Sequence, residues 1–325
     1  MKTGEAMETG VVLAPDTDYA DKVYPFLGHK GSEWRWHIER ALAGPLDSLQ
    51  TRFYIGSLEG DIICNIMTVE YNRTGILGHV FTRPDQRRKG ACALVMAHQM
   101  EDFRRRGGGL LLLGTGYNSP PYWIYHSFGF RSVFEGSGFM RYATEEDLEV
   151  HYFTPTPVNI VDVHWHDWPR INALSSLHLP TVVRSVAFGL YGPTNFEHGF
   201  LLFRKGLEED NRWRGKLLES ESGAIVGVAM VQPDERWRGN VYLLDLFLHP
   251  DFLAYAGDLL DALDLPTGKV QCYVDDRSPE KAAFLSTVGF QPEGVMKGQV
   301  RWGKEAVDVA IYSRGETFAP TAPHR

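Results

Sequence analysis

Cysteine is scarce in this chain: there are three in 325 residues, Cys64, Cys92 and Cys272, far apart and odd in number. That excludes a disulfide framework and the paired spacing of a structural zinc site. Long apolar runs are missing too. None reaches the roughly 18 residues that a membrane-spanning helix needs, and the first ten residues carry no apolar signal core. No membrane partner is expected, and the default location is cytoplasmic. Positive charge is in deficit. With 33 Lys and Arg against 41 Asp and Glu, the net charge is −8, which argues against nucleic acid as a general partner. The twelve histidines include His164 and His166, but no set of Cys or carboxylate residues joins them, so no metal is expected.

What is present indicates a folded globular protein. Hydrophobic residues make up 43% and charged residues 23%, and the length suggests two domains. Against the acidic background, one basic turn stands out. An apolar strand over 78–82 runs into Pro84, then Arg87-Arg88-Lys89-Gly90, then a helix to about Arg106. Backbone N–H groups at a helix start have no intrahelical partner, and the helix dipole adds partial positive charge there. Gly90 permits close backbone approach. The turn is therefore a candidate pyrophosphate site. It lacks the Gly-Lys-Ser/Thr ending of a Walker loop and the G-x-G-x-x-G dinucleotide fingerprint.

A second motif follows. Gly107-Gly108-Gly109 leads into a Leu-rich strand, then Asn118, Tyr125 and Gly129-Phe130. A phenol is protonated at neutral pH and can give up a proton. Taken by itself, Tyr125 reads as the buried face of a short amphipathic helix.

Together the two motifs resemble the GNAT N-acetyltransferase superfamily. Arg87-x-x-Gly90-x-Cys92 is similar to its acetyl-CoA loop, (Arg/Gln)-x-x-Gly-x-(Gly/Ala), with Cys92 a departure at the last position. Asn118 to Phe130 is similar to its Asn-x-x-Ala-x-x-(Leu/Phe)-Tyr-x-x-x-Gly-Phe segment, with Pro121 where Ala is common. The resemblance implies direct acetyl transfer from acetyl-CoA to an amine in a ternary complex. It implies that Arg87, Arg88, Lys89, Gly90, Ala91 and Cys92 hold the pyrophosphate and that Asn118 contacts the CoA arm. Backbone at Val80, Phe81 and Thr82 would meet the pantetheine and the thioester carbonyl, and Tyr125 would protonate the departing thiolate. The expected acceptor is a small or amino-acid-like amine, and the protein a monomer or homodimer. A protein N-terminus or lysine is an alternative acceptor. A non-catalytic acyl-CoA-binding regulatory module is another reading, kept open by Cys92.

An amine must be neutral to attack, so a general base is useful. Glu70 and His79 are candidates, alongside the plainer readings of a wet strand end and a satisfied strand histidine. Trp34 and Trp36 flank Arg35 and are candidates for acceptor stacking, or for packing. Trp123 either lines the cleft or anchors the Tyr125 helix.

The fold class expected is mixed-sheet α/β with two tandem GNAT-like domains. Residues 1–145 form the catalytic domain, 146–157 a charged and Pro-rich linker, and 158–325 a degenerate second domain. The basis is a repeated order of strands and helices, with the Pro-Asp pairs 166 residues apart and the Gly-Phe pairs 160 apart. Superposing Pro250 on Pro84 puts Leu253, Ala254, Tyr255 and Ala256 where the basic loop stands. Superposing Gly289 on Gly129 puts Leu285 on Tyr125, and Ser278 replaces Asn118. An unrelated α/β domain is the alternative for this half. The stretch Phe188 to Asn195 is a candidate loop reaching the cleft.

Overall fold

The computed structural model describes Met1 and residues 4–315; residues 316–325 of the expected second domain lie outside the described residues. The chain is a mixed α/β protein with two seven-stranded mixed sheets. Its first half runs β1 (Glu8–Leu13), α1 (Thr17–Leu27), α2 (Ser32–Ala43), β2 (Gln50–Leu58), β3 (Asp61–Tyr71), β4 (Thr74–Thr82), α3 (Ala91–Arg105), β5 (Leu110–Gly114), α4 (Pro120–Ser127), β6 (Arg131–Ser132), β7 (Phe139–Ala143) and α5 (Leu148–Tyr152). The first sheet has the order β1-β2-β3-β4-β5-β7-β6. Only β4 and β5 pair in parallel.

Local chemistry explains these elements. Glu59 and Gly60 both take positive φ at the β2–β3 turn, which matches the twist of a tight hairpin. Helix α3 turns Val95, Met96, Gln99, Met100 and Phe103 inward at helical spacing, onto a core that includes Tyr54, Ile66 and Leu113. Fully burying each apolar side chain of this kind contributes about 1.5–3 kcal/mol. Arg104 and Arg105 in the last turn suit the negative end of the dipole.

Two irregularities in β4 matter for the site. First, β4 and β5 pair only from Thr74–Leu110 to Ile76–Leu112, and no ladder joins them beyond that. Second, the β3–β4 register steps from Met67–Gly78 to Asn65–Phe81. Ile66 alone therefore opposes His79 and Val80, which is a β-bulge. His79 takes φ +49°, and Asn65 Nδ2 donates to its carbonyl at 3.1 Å.

Beyond α5 come β8 (Val158–Asp162), α6 (Trp168–Ser176), β9 (Val183–Ser185), β10 (Leu190–Tyr191), α7 (Glu197–Glu209), β11 (Arg214–Ser220), β12 (Ile225–Pro233) and β13 (Val241–Leu248). The chain continues through α8 (Ala256–Leu263), β14 (Lys269–Asp275), α9 (Pro279–Thr287), β15 (Gln291–Trp302) and β16 (Glu305–Arg314). The second sheet reads β8-β11-β12-β13-β14-β16-β15, with β13–β14 its parallel pair.

The chain does not divide at one point. The first compact unit holds Met1–Thr154, His164–Leu177 and Asn195–Arg204. The second holds Pro155–Val163, His178–Thr194 and the chain from Lys205 onward. Three further features bear on the sequence reading. The stretch expected to be linker contains α5, whose Leu148 is buried. Helix α7 starts two residues after Asn195. The residues superposed on the basic loop lie in a 3-10 turn, Pro250–Tyr255, and at the start of α8, which follows it.

Candidate active site

The larger side of the candidate site is a cavity of about 670 Å³ lined by Val80, Phe81 and Thr82 of β4, the turn at Arg87, Arg88 and Gly90, Ala91 and Cys92 at the start of α3, and Tyr125 of α4. Gly90 has φ +93° and is the N-cap of α3, so no side-chain oxygen covers the helix start. Arg87 and Arg88 are exposed. Arg87 Nε donates to the Thr82 carbonyl at 3.1 Å, and the guanidinium lies over the Phe81 ring at 5.8 Å. These contacts hold a cation beside an uncapped fifteen-residue helix, an arrangement that suits a pyrophosphate. The cavity beyond is mainly apolar, as a pantetheine arm requires. The residues present thus fit acetyl-CoA.

Tyr125 sits on a well-made helix. Ser119 caps α4, accepting from Tyr122 N at 3.3 Å, and Pro120 and Pro121 fill the first turn. Gly129, at φ +96°, ends the turn after it, and Phe130 N–H donates to the Tyr125 carbonyl at 3.2 Å. Burial raises the Tyr125 phenol above its ordinary pKa, with added pushes from Cys92 and Glu197. It therefore stays protonated and available as a donor. Hydrogen bonding with Cys64 and burial raise the Cys92 thiol likewise, which keeps it from acting as a thiolate.

A second cavity of about 200 Å³ is lined by His79, which precedes Val80 of the first cavity along β4. Its other lining includes Lys30, Trp34, Gly114, Trp168 and Glu197, with an apolar floor of Met67, Val69, Ile76 and Leu77. It opens where β4 and β5 part. The His79 ring meets Trp34 edge-on at 4.8 Å, and burial lowers its pKa to about 3. It is thus neutral near pH 7. Glu197, the first residue of α7, is pushed up to about 7 by burial. Its N–H donates to Asn195 Oδ1 at 3.0 Å, and Asn195 Nδ2 donates back to its carboxylate.

The structure gathers Tyr125, Val80, Phe81, Thr82, Arg87, Arg88, Gly90, Ala91 and Cys92 on one cavity, and His79 and Trp34 on the other. It does not bring the remaining candidates there. Glu70 lies at the far end of β3, opposite Gln50 and Gly75. Its carboxylate accepts from Arg106 at 2.6 and 3.0 Å and from Thr68 at 2.6 Å, and so is fully engaged. Trp36 packs on Trp165, with Arg40 over its ring. Trp123 is 54% exposed, and its Nε1 donates to Asn118 Oδ1 at 2.8 Å. That bond engages Asn118, which is exposed and lines neither cavity. Lys89 turns to Gln86, donating at 3.1 Å.

Sequence reading missed Lys30, Trp168, Asn195 as a cap, and Glu197. One signal was available for the last pair: Asn195 two residues before an acid and an apolar helical pattern is an N-cap signature. Lys30 and Trp168 carried none. Among the described residues no group of three or more His, Cys, Asp or Glu could hold a metal, and no helix is long and apolar enough to cross a membrane.

No family model and no curated protein matches this chain. Several solved structures resemble about half of it. An N-acetyltransferase from Staphylococcus aureus Mu50 is 14% identical, covering 49% of this chain and 99% of its own, at a TM-score of 0.41. A GNAT superfamily phosphinothricin acetyltransferase from Sinorhizobium meliloti, in complex with AcCoA, is 19% identical over 51% of this chain and 94% of its own, at 0.39. A spermidine N-acetyltransferase from Vibrio cholerae, in complex with CoA and spermine, is 15% identical over 48% and 94%, at 0.34. Likeness at this level does not fix an activity.

Proposed function

We propose that the protein is an acetyl-CoA-dependent N-acetyltransferase of the GNAT type, acting on the amine of a small molecule. Its first unit carries the chemistry. The second is a non-catalytic counterpart of the same architecture. The observation that supports this reading is that two unlike cavities are lined by consecutive residues, His79 and Val80, at the bulged, parted end of β4. One offers a basic, uncapped helix start and a protonated phenol, as a thioester donor with a pyrophosphate handle would need. The other offers a carboxylate and aromatic walls, as an amine would need.

Each residue then has a defined task. Arg87, Arg88 and the backbone at Gly90 and Ala91 hold the pyrophosphate. The bulge at His79 and Val80 turns β4 backbone toward the thioester carbonyl, whose developing negative charge an N–H can stabilise. Tyr125 hands its proton to the leaving thiolate. A compact cavity walled by Trp34 and Trp168 favours a small acceptor over a protein lysine.

The test is thiol release from acetyl-CoA with a panel of primary amines. Acceptor-dependent release, with an acetylated amine as product, is the expected result. Tight CoA binding with no release for any small amine or peptide would replace the enzyme with an acyl-CoA-binding module.

A further inference from the structure

The small cavity contains two opposite charges that do not neutralise each other. Among the described residues, neither the Lys30 ammonium nor the Glu197 carboxylate has an ion-pair partner, although both line the same space. Uncompensated charge in a half-buried site is costly unless something supplies its counterpart. Two further polar atoms are left over on the same lining. His79 Nε2 and Trp168 Nε1 are buried and make no hydrogen bond among the described residues. Buried orphans of this kind call for an explanation, and a bound ligand is one. The walls are the rings of Trp34 and Trp168, 6.1 Å apart, and the floor is apolar.

We infer that the acceptor is a small zwitterion, an amino acid with an apolar body, whose ammonium is held and deprotonated by Glu197 and whose carboxylate is held by Lys30. This rests on the acetyl-transfer reading and assigns its substrate class. Glu197 is well placed for the task. Asn195 fixes the carboxylate from its own segment, and the Tyr125 phenol of α4 is near enough to be raised by it. Base and acid thus line the two cavities, Glu197 the smaller and Tyr125 the larger.

The step balances as follows. Glu197 takes one proton from the ammonium. The neutral nitrogen attacks the thioester carbonyl carbon, the C–N bond forms, and the C–S bond breaks. Tyr125 gives its proton to the thiolate and is restored by the second proton lost from nitrogen. One proton is released overall, from Glu197 to solvent.

The groups facing Glu197 are Tyr125 from α4, Asn195 on its own segment and, across the cavity, His79 of β4 and Lys30. Burial lowers both His79, to about 3, and Lys30. The neighbouring His198 is turned to Glu33 at 3.6 Å. Glu197, at about 7, is the carboxylate that gains its proton as pH falls through neutrality.

The experiment compares matched acceptors that differ only in the carboxylate: L-leucine with isopentylamine, L-phenylalanine with phenethylamine, and γ-aminobutyrate with propylamine. In the wild type, at least one amino acid should exceed its amine by about tenfold or more in kcat/KM, the scale of a charge-assisted contact. Lys30→Met should abolish that preference by lowering the amino-acid value alone, and Lys30→Arg should restore part of it. Glu197→Gln should bind acetyl-CoA normally but lose about a hundredfold or more in turnover, together with the rise in rate through about pH 7. Amines matching or beating the amino acids in the wild type would overturn the inference. So would an unchanged preference in Lys30→Met, or an unchanged pH profile in Glu197→Gln. Should Glu197→Gln fail to fold, the Lys30 variants still decide. A wild type that binds no acetyl-CoA would instead remove the acetyl-transfer reading and the inference with it.

Discussion

The loop between β4 and α3 and the loop between β13 and α8 occupy the same place in two sheets of the same order, yet only one pairs a basic turn with a glycine-started helix. Both begin with a proline and a 3-10 turn after the strand that starts a parallel pair. In the first, Gly90 at φ +93° opens a fifteen-residue helix, and the exposed Arg87 and Arg88 stand beside it. In the second, Tyr255 at φ −92° precedes an eight-residue helix, and Leu253, Ala254 and Ala256 line a smaller, largely apolar cavity of about 320 Å³. The downstream helices diverge in the same way. Phe290 N–H donates to the Leu285 carbonyl at 2.9 Å, as Phe130 does to Tyr125, and Gly129 and Gly289 share a positive φ. The backbone device is kept while the phenol is gone. On the proposed reading architecture and chemistry are separable here: the fold needs the turn and the buried side chain, and only the proposed site needs the charge and the proton.

The sharpest way to break this contrast is Tyr125→Phe. Turnover should fall by about a hundredfold or more while acetyl-CoA affinity stays near wild type. Equal turnover would put Tyr125 in the same purely structural class as Leu285. Next in size is Arg87→Ala, which removes a charge-assisted contact of about 1.5–3 kcal/mol and should weaken acetyl-CoA binding by roughly tenfold to a hundredfold. Titration calorimetry reads it directly, and unchanged affinity would move the pyrophosphate elsewhere.

Acid provides a test specific to the first unit. His37 is fully buried, and burial lowers its pKa to about 3. The unfolded chain therefore takes up a proton at about pH 6.5 that the folded chain refuses, and stability is lost as pH falls below that point. Between pH 7 and pH 5 the wild type should lose about 2 kcal/mol relative to His37→Leu, read from denaturant midpoints. A pH-independent difference would mean that the folded state tolerates the charge. The smallest effect is expected from Leu285→Met. Its cost should be under about 1.5 kcal/mol of stability, with turnover unchanged. A folded but inactive variant would show that the second unit takes part in the chemistry.

Much of this was legible in the amino-acid order because it rests on local rules. A strand, a proline, a basic turn with one glycine and a helix are written within 78–106. The spacing of Tyr125 to Gly129-Phe130 needs only one helical turn and a left-handed exit. The proposed base and acceptor cavity were not legible, because their character is set at long range. Glu70 looked as available as any strand-end acid until Arg106, 36 residues later, was seen to bind it. Glu197 is one of 41 acidic residues, and only burial gives it a pKa near neutrality. The bulge at His79 comes from a register step between two strands, which no run of residues announces. The division into units was hidden for a related reason. Segments 164–177 and 195–204 belong with the first sheet although the chain has already begun the second at β8. Trp34 and Trp36 illustrate the limit most simply: two residues apart on α2, one faces the cavity and the other packs on Trp165.

Calorimetric titration of the whole chain with acetyl-CoA tests the central claim most directly, because it counts working loops. The account predicts one site per chain, abolished or strongly weakened in Arg87→Ala. Two sites would contradict the loss of chemistry from the β13–α8 loop, and no binding would contradict the acetyl-CoA reading of the β4–α3 loop.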